Sequence, residues 1–252
     1  MMLQYKAVMM SLLALTMLGG CDTSEPDPGK QKTSVKIDFM EHEQYVKPYP
    51  TRLIVTNKFM RFDDGEGSTS FILFNRDTDT IYSVNDEDRT VMSLKDQEID
   101  LEPPMALELE ERNLGTLEEA PKIQGMTPVH YQFFANGEVC YDVVAVKGLM
   151  PDVVDAMQAF KTILANDSKV TFNNMPADLH NACDMSMSTF ATGRHLKHGF
   201  PIQEWSVDGD GRTLVDYDES YKPDPTLFEL PEDYRHFSVQ DIRGGKVNGG
   251  GH

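Results

Sequence analysis

The chain has 252 residues and sets 41 acidic side chains against 23 basic ones, for a formal net charge of −18. An acidic balance of this size argues against nucleic acid as a partner and against a face that lies flat on anionic lipid. Once a leader and a linker are set aside, about two hundred residues remain, enough for one domain to bury a core without staples.

The first element is a targeting segment. Lys6 precedes an apolar run from Ala7 to Leu18, too short to span a bilayer comfortably, and small residues then lead into a cysteine. The stretch Leu18-Gly19-Gly20-Cys21 resembles a bacterial lipobox. That resemblance implies a signal peptide over 1–20, lipidation of Cys21 and acylation of the new amino terminus. The protein is then expected as a periplasm-facing lipoprotein of the cell envelope, held to the bacterial membrane through the lipid on Cys21. Asp22 resembles an inner-membrane retention signal of enteric-type lipoproteins; an outer-membrane position stays open. Residues 21–34 carry Pro, Gly, Ser and charge with almost nothing apolar after the cysteine, which predicts a flexible tether.

From residue 35 the pattern turns to strand and a single domain is expected over 35–243. Val35, Ile37 and Phe39 alternate with polar residues, and Leu53, Val55 and the block Lys58–Phe62 follow. Thr69–Phe74, Thr80–Val84 and Arg89–Leu94 are separated by acidic, turn-rich stretches, so an antiparallel meander is predicted. Asn136-Gly137 predicts a two-residue hairpin turn within 129–146, pairing Phe133 with Cys140, Tyr131 with Asp142, Gln132 with Tyr141 and Phe134 with Val139. Pro151 can open a helix whose stripe is Val153, Met157, Phe160 and Leu164. A second helix is expected from about Pro176 to Gly193, with Leu179, Cys183, Met187 and Phe190 inward. Strands return around Phe200–Val207 and Arg212–Asp218, and 244–252 reads as a disordered tail.

With Cys21 assigned to lipid, Cys140 and Cys183 remain in an oxidising compartment. A disulfide is the first reading and two separate buried thiols the second. His180, Cys183 and Met187 offer thiol, thioether and imidazole ligands and are weak candidates for a copper or redox centre, but core packing with exposed methionines on a helix is the first reading. The turn Asp208-Gly209-Asp210-Gly211 lacks the third ligand of a calcium loop, because position 212 is Arg212. No motif for a nucleophilic triad, a zinc site or a phosphate loop occurs, so no catalytic residue and no cofactor is assigned.

Three pieces resemble the lipoprotein-carrier-like superfamily and within it the bacterial domain of unknown function DUF4412. They are the Lys58–Phe62 block, the Ile72–Leu94 meander, and the ending Gly199–Ile202 followed by Leu227–Tyr234. The resemblance implies an α+β fold: a curved antiparallel sheet, an open half-barrel, with about two helices packed on the concave face. Carrier members hold acyl chains in that hollow. Phe59, Phe71, Leu73, Phe133 and Met157 are therefore the candidates to line an apolar interior and meet an apolar or lipid-like ligand. The leading expectation is a non-enzymatic binding module. The alternative is an envelope scaffold or protein-interaction module with a filled core.

Overall fold

The computed structural model describes residues 34–117, 120 and 122–246. The expected signal peptide, Cys21 and the tether as far as Thr33 lie outside these residues, as do 247–252 of the expected tail. Ser34, the last tether position, already pairs with Tyr221 in the sheet.

Alternation of apolar and polar residues drives the first strand, β1 (Ser34–His42), where Val35, Ile37 and Phe39 are buried and their neighbours are not. The predicted meander follows as β2 (Tyr49–Val55), β3 (Phe59–Asp63), β4 (Phe71–Asn75), β5 (Thr80–Asn85) and β6 (Thr90–Lys95). Each pairs antiparallel with the one before it. The chain then makes β7 (Leu109–Thr116), β8 (Val129–Ala135) and β9 (Glu138–Val146), runs through a helical region, and returns as β10 (Phe200–Ser206), β11 (Gly211–Tyr221) and β12 (Arg235–Ser238). All twelve strands form one sheet in the order β12-β6-β5-β4-β3-β2-β1-β11-β10-β9-β8-β7. Only β12 runs parallel to its neighbour, β6. The sheet is curved and unclosed, and with three α-helices among the described residues the fold is α+β.

The concave side is filled by α1 (Pro151–Asn174). Pro151 sits in the first turn, where its missing N–H costs nothing, and Pro176 follows the last turn. Val153, Ala156, Met157 and Ile163 are buried against Ile37, Phe39, Leu53, Met60, Phe74 and Phe200 from strands on both sides of the sheet. Burying each such large side chain contributes roughly 1.5–3 kcal/mol, so this contact holds the curvature. The predicted stripe holds through Phe160, which packs on Phe62 and Phe74 with ring centroids 5.4 and 6.0 Å apart. Leu164 does not belong to it: it is exposed, and Ile163 takes the inward place.

The second predicted helix is broken into pieces. A short 3-10 turn (Ala177–Leu179), α2 (Ala182–Met185), a π turn (Ser186–Phe190) and a 3-10 turn (Arg194–His198) replace it, and Leu179 is exposed. Gly193 follows the π segment at φ 69°, a left-handed position that glycine adopts without strain. A last helix, α3 (Val239–Arg243), is closed by a capping box between Ser238 and Asp241.

The opposite face of the sheet carries a second packed layer. Phe59, Arg61 and Asp63 alternate with Met60 and Phe62, so they point away from α1. Phe228 stacks on Phe59 with centroids 5.3 Å apart, and Arg61 donates to the Leu227 carbonyl at 2.6 Å. The Lys58–Phe62 block and the Leu227–Tyr234 ending, far apart in sequence, thus meet on one face of the sheet.

Candidate functional site

The hairpin β8–β9 sets the site. Asn136 and Gly137 adopt the positive φ values the turn requires, 50° and 80°. Pairing of Phe134 with Val139 is as predicted, but a bulge inserts Cys140, so Phe133 faces Tyr141, Gln132 faces Asp142 and Tyr131 faces Val143. The extra residue lets Cys140 and Tyr141 both contribute to the helix-covered face. Cys140 is bonded to Cys183 of α2, with Cα atoms 5.1 Å apart. This disulfide pins the broken helical region over β8 and β9, where Phe133, Tyr141 and Val143 form a second apolar cluster with Met187.

Beside the disulfide opens a cleft of about 530 Å³, bounded by β1, β9, β10, β11, α1 and the 182–198 region. Its floor is a group of inward-facing charges. Glu204 of β10 receives Arg212 of β11 on Oε2, from Nε at 2.6 Å and Nη2 at 2.5 Å. Its other oxygen lies 2.8 Å from His195 Nε2. That second contact has the distance of an ion pair, but the ring N–H is not aligned on the oxygen, and neither His195 nitrogen completes a hydrogen bond. His195 is only 4% exposed. Lys161 of α1 reaches the same floor and has no hydrogen-bond or ion-pair partner among the described residues.

Burial and charge set the protonation of this floor. Desolvation pushes the Glu204 carboxyl up, but the Arg212 guanidinium leads the opposing effects that hold it well below the usual carboxylate range. Burial pushes the His195 imidazolium down, against the pull of Glu204, so the ring is favoured in its neutral form. Burial likewise lowers Lys161, with Glu204 opposing the shift. Tyr141 is pushed up to about 12, chiefly by burial. A carboxylate beside Nε2 favours the tautomer with its proton there, leaving Nδ1 a buried acceptor without a partner among the described residues. Arg212 also lies over the Phe39 ring, 4.8 Å from its centroid, which ties the charged floor to the apolar core. The mouth of the cleft is acidic: Glu41, Glu43, Asp184, Asp208 and Asp210 border it.

The candidate apolar residues do not gather in one place. Phe133 and Met157 are buried on the helix-covered face, in different clusters. Phe59 and Phe71 lie on the opposite face, Phe59 under Phe228 and Phe71 under the Arg61 guanidinium, 3.7 Å from its ring centroid. Leu73 pairs with Arg61 on that same face and is 1% exposed. The concave face is occupied by α1, as expected, because the amphipathic helix and the concave strands bury each other's apolar surface. The soft-ligand cluster is also dispersed: Cys183 is spent in the disulfide, and His180 Nε2 lies 3.2 and 3.1 Å from the carbonyls of Phe172 and Met175. Among the described residues no group of three His, Cys, Asp or Glu side chains is placed to hold a metal ion.

Sequence reasoning missed Lys161, His195, Glu204 and Arg212 as one group. They come from three separate regions, and the only local hint was a charged residue at two inward positions, 161 on α1 and 204 on β10.

No family model matches the chain, and no curated protein matches it by sequence. Among solved structures, an uncharacterized conserved protein from Thermus thermophilus is similar with a TM-score of 0.43 and 7% identity, over 82% of this chain and 91% of that one. PNGF-II is similar with a TM-score of 0.40 and 9% identity, over 84% of this chain and 32% of its own. MucB is similar with a TM-score of 0.35 and 9% identity, over 81% of this chain and 59% of its own. The chain thus spans about a third of PNGF-II and less than two thirds of MucB. With no family model matching, the resemblance to DUF4412 rests on the short sequence pieces alone. No helix among the described residues is long and apolar enough to cross a membrane.

Proposed function

We propose that this protein is a non-enzymatic binding module of the bacterial cell envelope, tethered to its membrane by the lipid on Cys21, and that its ligand sits in the cleft over Glu204. One observation carries the reading: Lys161, half-buried in the lining of a cleft of about 530 Å³, has no hydrogen-bond or ion-pair partner among the described residues. An unsatisfied buried polar group costs about 1–3 kcal/mol, and a ligand that satisfies it recovers that energy as affinity. The volume falls within the usual range of small-molecule sites, roughly 300–1,000 Å³.

A second reading, an apolar or lipid-like ligand, is favoured by a groove of about 390 Å³ beside β7, where Pro103, Met105, Leu107, Leu109 and Phe190 converge. Native mass spectrometry of the full chain, extracted from membranes in mild detergent, separates the two. A bound small molecule that is lost in Lys161→Met supports the cleft. A lipid that survives Lys161→Met moves the site to the groove. Wild type that carries and binds nothing sinks both in favour of the scaffold.

A further inference from the structure

The cleft has opposite charges at its two depths. Its floor holds the ammonium of Lys161 and the guanidinium of Arg212 against one carboxylate, Glu204, beside a His195 ring favoured as neutral. Arg212 and Glu204 cancel each other, which leaves Lys161 as the uncompensated charge inside. Glu41, Glu43, Asp184, Asp208 and Asp210 ring the mouth. Three of these are already engaged: Thr51 donates to Glu41, Tyr49 to Glu43, and the Gln44 backbone to Asp210. The carboxylates of Asp184 and Asp208 are exposed and have no partner among the described residues.

Each simple ligand class fails one half of this arrangement. A plain anion meets the acidic mouth, a plain cation meets an unpaired ammonium at the floor, and a neutral apolar molecule leaves Lys161 unsatisfied. A molecule with a carboxylate at one end and a cationic group at the other fits both. We infer that the cleft takes a small zwitterionic ligand of the amino-acid or short-peptide class, with its carboxylate on Lys161 and its cationic end toward Asp184 and Asp208. The Cys140–Cys183 disulfide and Met187, which border the same space, supply the apolar wall between the two ends. This inference rests on the proposed function and narrows it to one ligand chemistry.

The probe is the dipeptide Lys-Ala, titrated calorimetrically into the full chain in detergent, alongside its C-terminal amide and its fully N-acetylated form. The expected result is saturable binding of Lys-Ala that weakens about tenfold or more in the amide, as loss of one charge-assisted contact requires. Lys161→Met weakens Lys-Ala to the same level and leaves the amide unaffected, because both changes remove one contact. The double variant Asp184→Asn/Asp208→Asn weakens Lys-Ala by a smaller factor that shrinks further in high salt, since those carboxylates are exposed. Free lysine binding as well as Lys-Ala assigns the site to amino acids; Lys-Ala binding better assigns it to peptides. Equal binding of acid and amide, or no binding of any of them by a correctly folded chain, overturns the inference. If Lys-Ala fails while a co-purified molecule still leaves the protein on Lys161→Met, the zwitterion is wrong and the cleft stands. If that co-purified molecule is also absent, the proposed function falls with it.

Discussion

Asp63 shows how this protein handles buried charge where no ligand is involved. Its carboxylate takes Arg52 in a fork, Nε to Oδ1 at 2.8 Å and Nη2 to Oδ2 at 2.9 Å, and Arg61 on Oδ2 at 2.5 Å. All three side chains are buried, and the Gly65 N–H supplies a further bond. Burial pushes the Asp63 carboxyl up, but the two arginines hold it below its ordinary 3.8. An acid lowered in the folded state contributes stability that is present above its unfolded value and lost as pH falls through the folded one. Replacing Asp63 with Ala leaves two guanidiniums uncompensated and is expected to cost about 3–5 kcal/mol in urea unfolding at neutral pH. A loss below about 1 kcal/mol, the scale of a solvated pair, would show that water enters that face of the sheet. His195 gives a different window. Its folded state stays neutral below 6.5 while the unfolded ring takes a proton there, so stability declines as pH drops below 6.5. The slope is at most about 1.4 kcal/mol per pH unit for one proton. His195→Asn should flatten that part of the profile; wild-type and variant curves running parallel would mean that the ring titrates normally. Neither cluster was legible in the sequence, because each charge is local and ordinary until the strands pair. Arg52 and Asp63 become partners only through the register of β2 on β3.

Among the elements, those with a strong period were readable and those with a tertiary cause were not. The meander β1 to β6 follows alternation and turn chemistry, and α1 follows its apolar stripe and its prolines. The edge strand β7 has every residue exposed, so it carries no inward face for a pattern to reveal. Its existence depends on pairing with β8. The broken run after Pro176 has helical spacing in sequence, but its pieces are held apart from one continuous helix by the disulfide and the Phe172–Phe190 contact. The bulge at Cys140 shifted the hairpin register by one residue for the same reason. That disulfide closes a span of 43 residues, and the chain-entropy model gives it about 4 kcal/mol of stabilisation. Cys140→Ala/Cys183→Ala is therefore expected to lower the unfolding free energy by about that amount, with reductant abolishing the difference from wild type. If the variant unfolds at the wild-type midpoint under oxidising conditions, the crosslink is dispensable to the fold. Gly199 marks another element boundary that only packing explains: at φ +116° a Cβ there would lie 2.3 Å from the Val146 carbonyl, where β9 and β10 converge.

At the scale of the whole molecule, the proposed tether and the charge act together. An acidic domain is repelled by an anionic surface, so its place near a membrane would depend on the lipid at Cys21 and on the length of 21–34. Cys21→Ser is expected to move the protein from the membrane to the soluble fraction and to abolish incorporation of labelled fatty acid; retention of both would refute the lipobox reading. The sequence by itself determined the strands of the meander, the first helix and the hairpin turn, and made a Cys140–Cys183 bond the first reading of two, because alternation, turn residues and cysteine arithmetic need no knowledge of the fold. The tertiary structure alone decided which face each strand presents, how the chain after Pro176 is broken, and that a polar cleft forms beside α1. Those outcomes depend on strand register and on which buried groups find partners, and both are set by contacts between residues far apart in the chain.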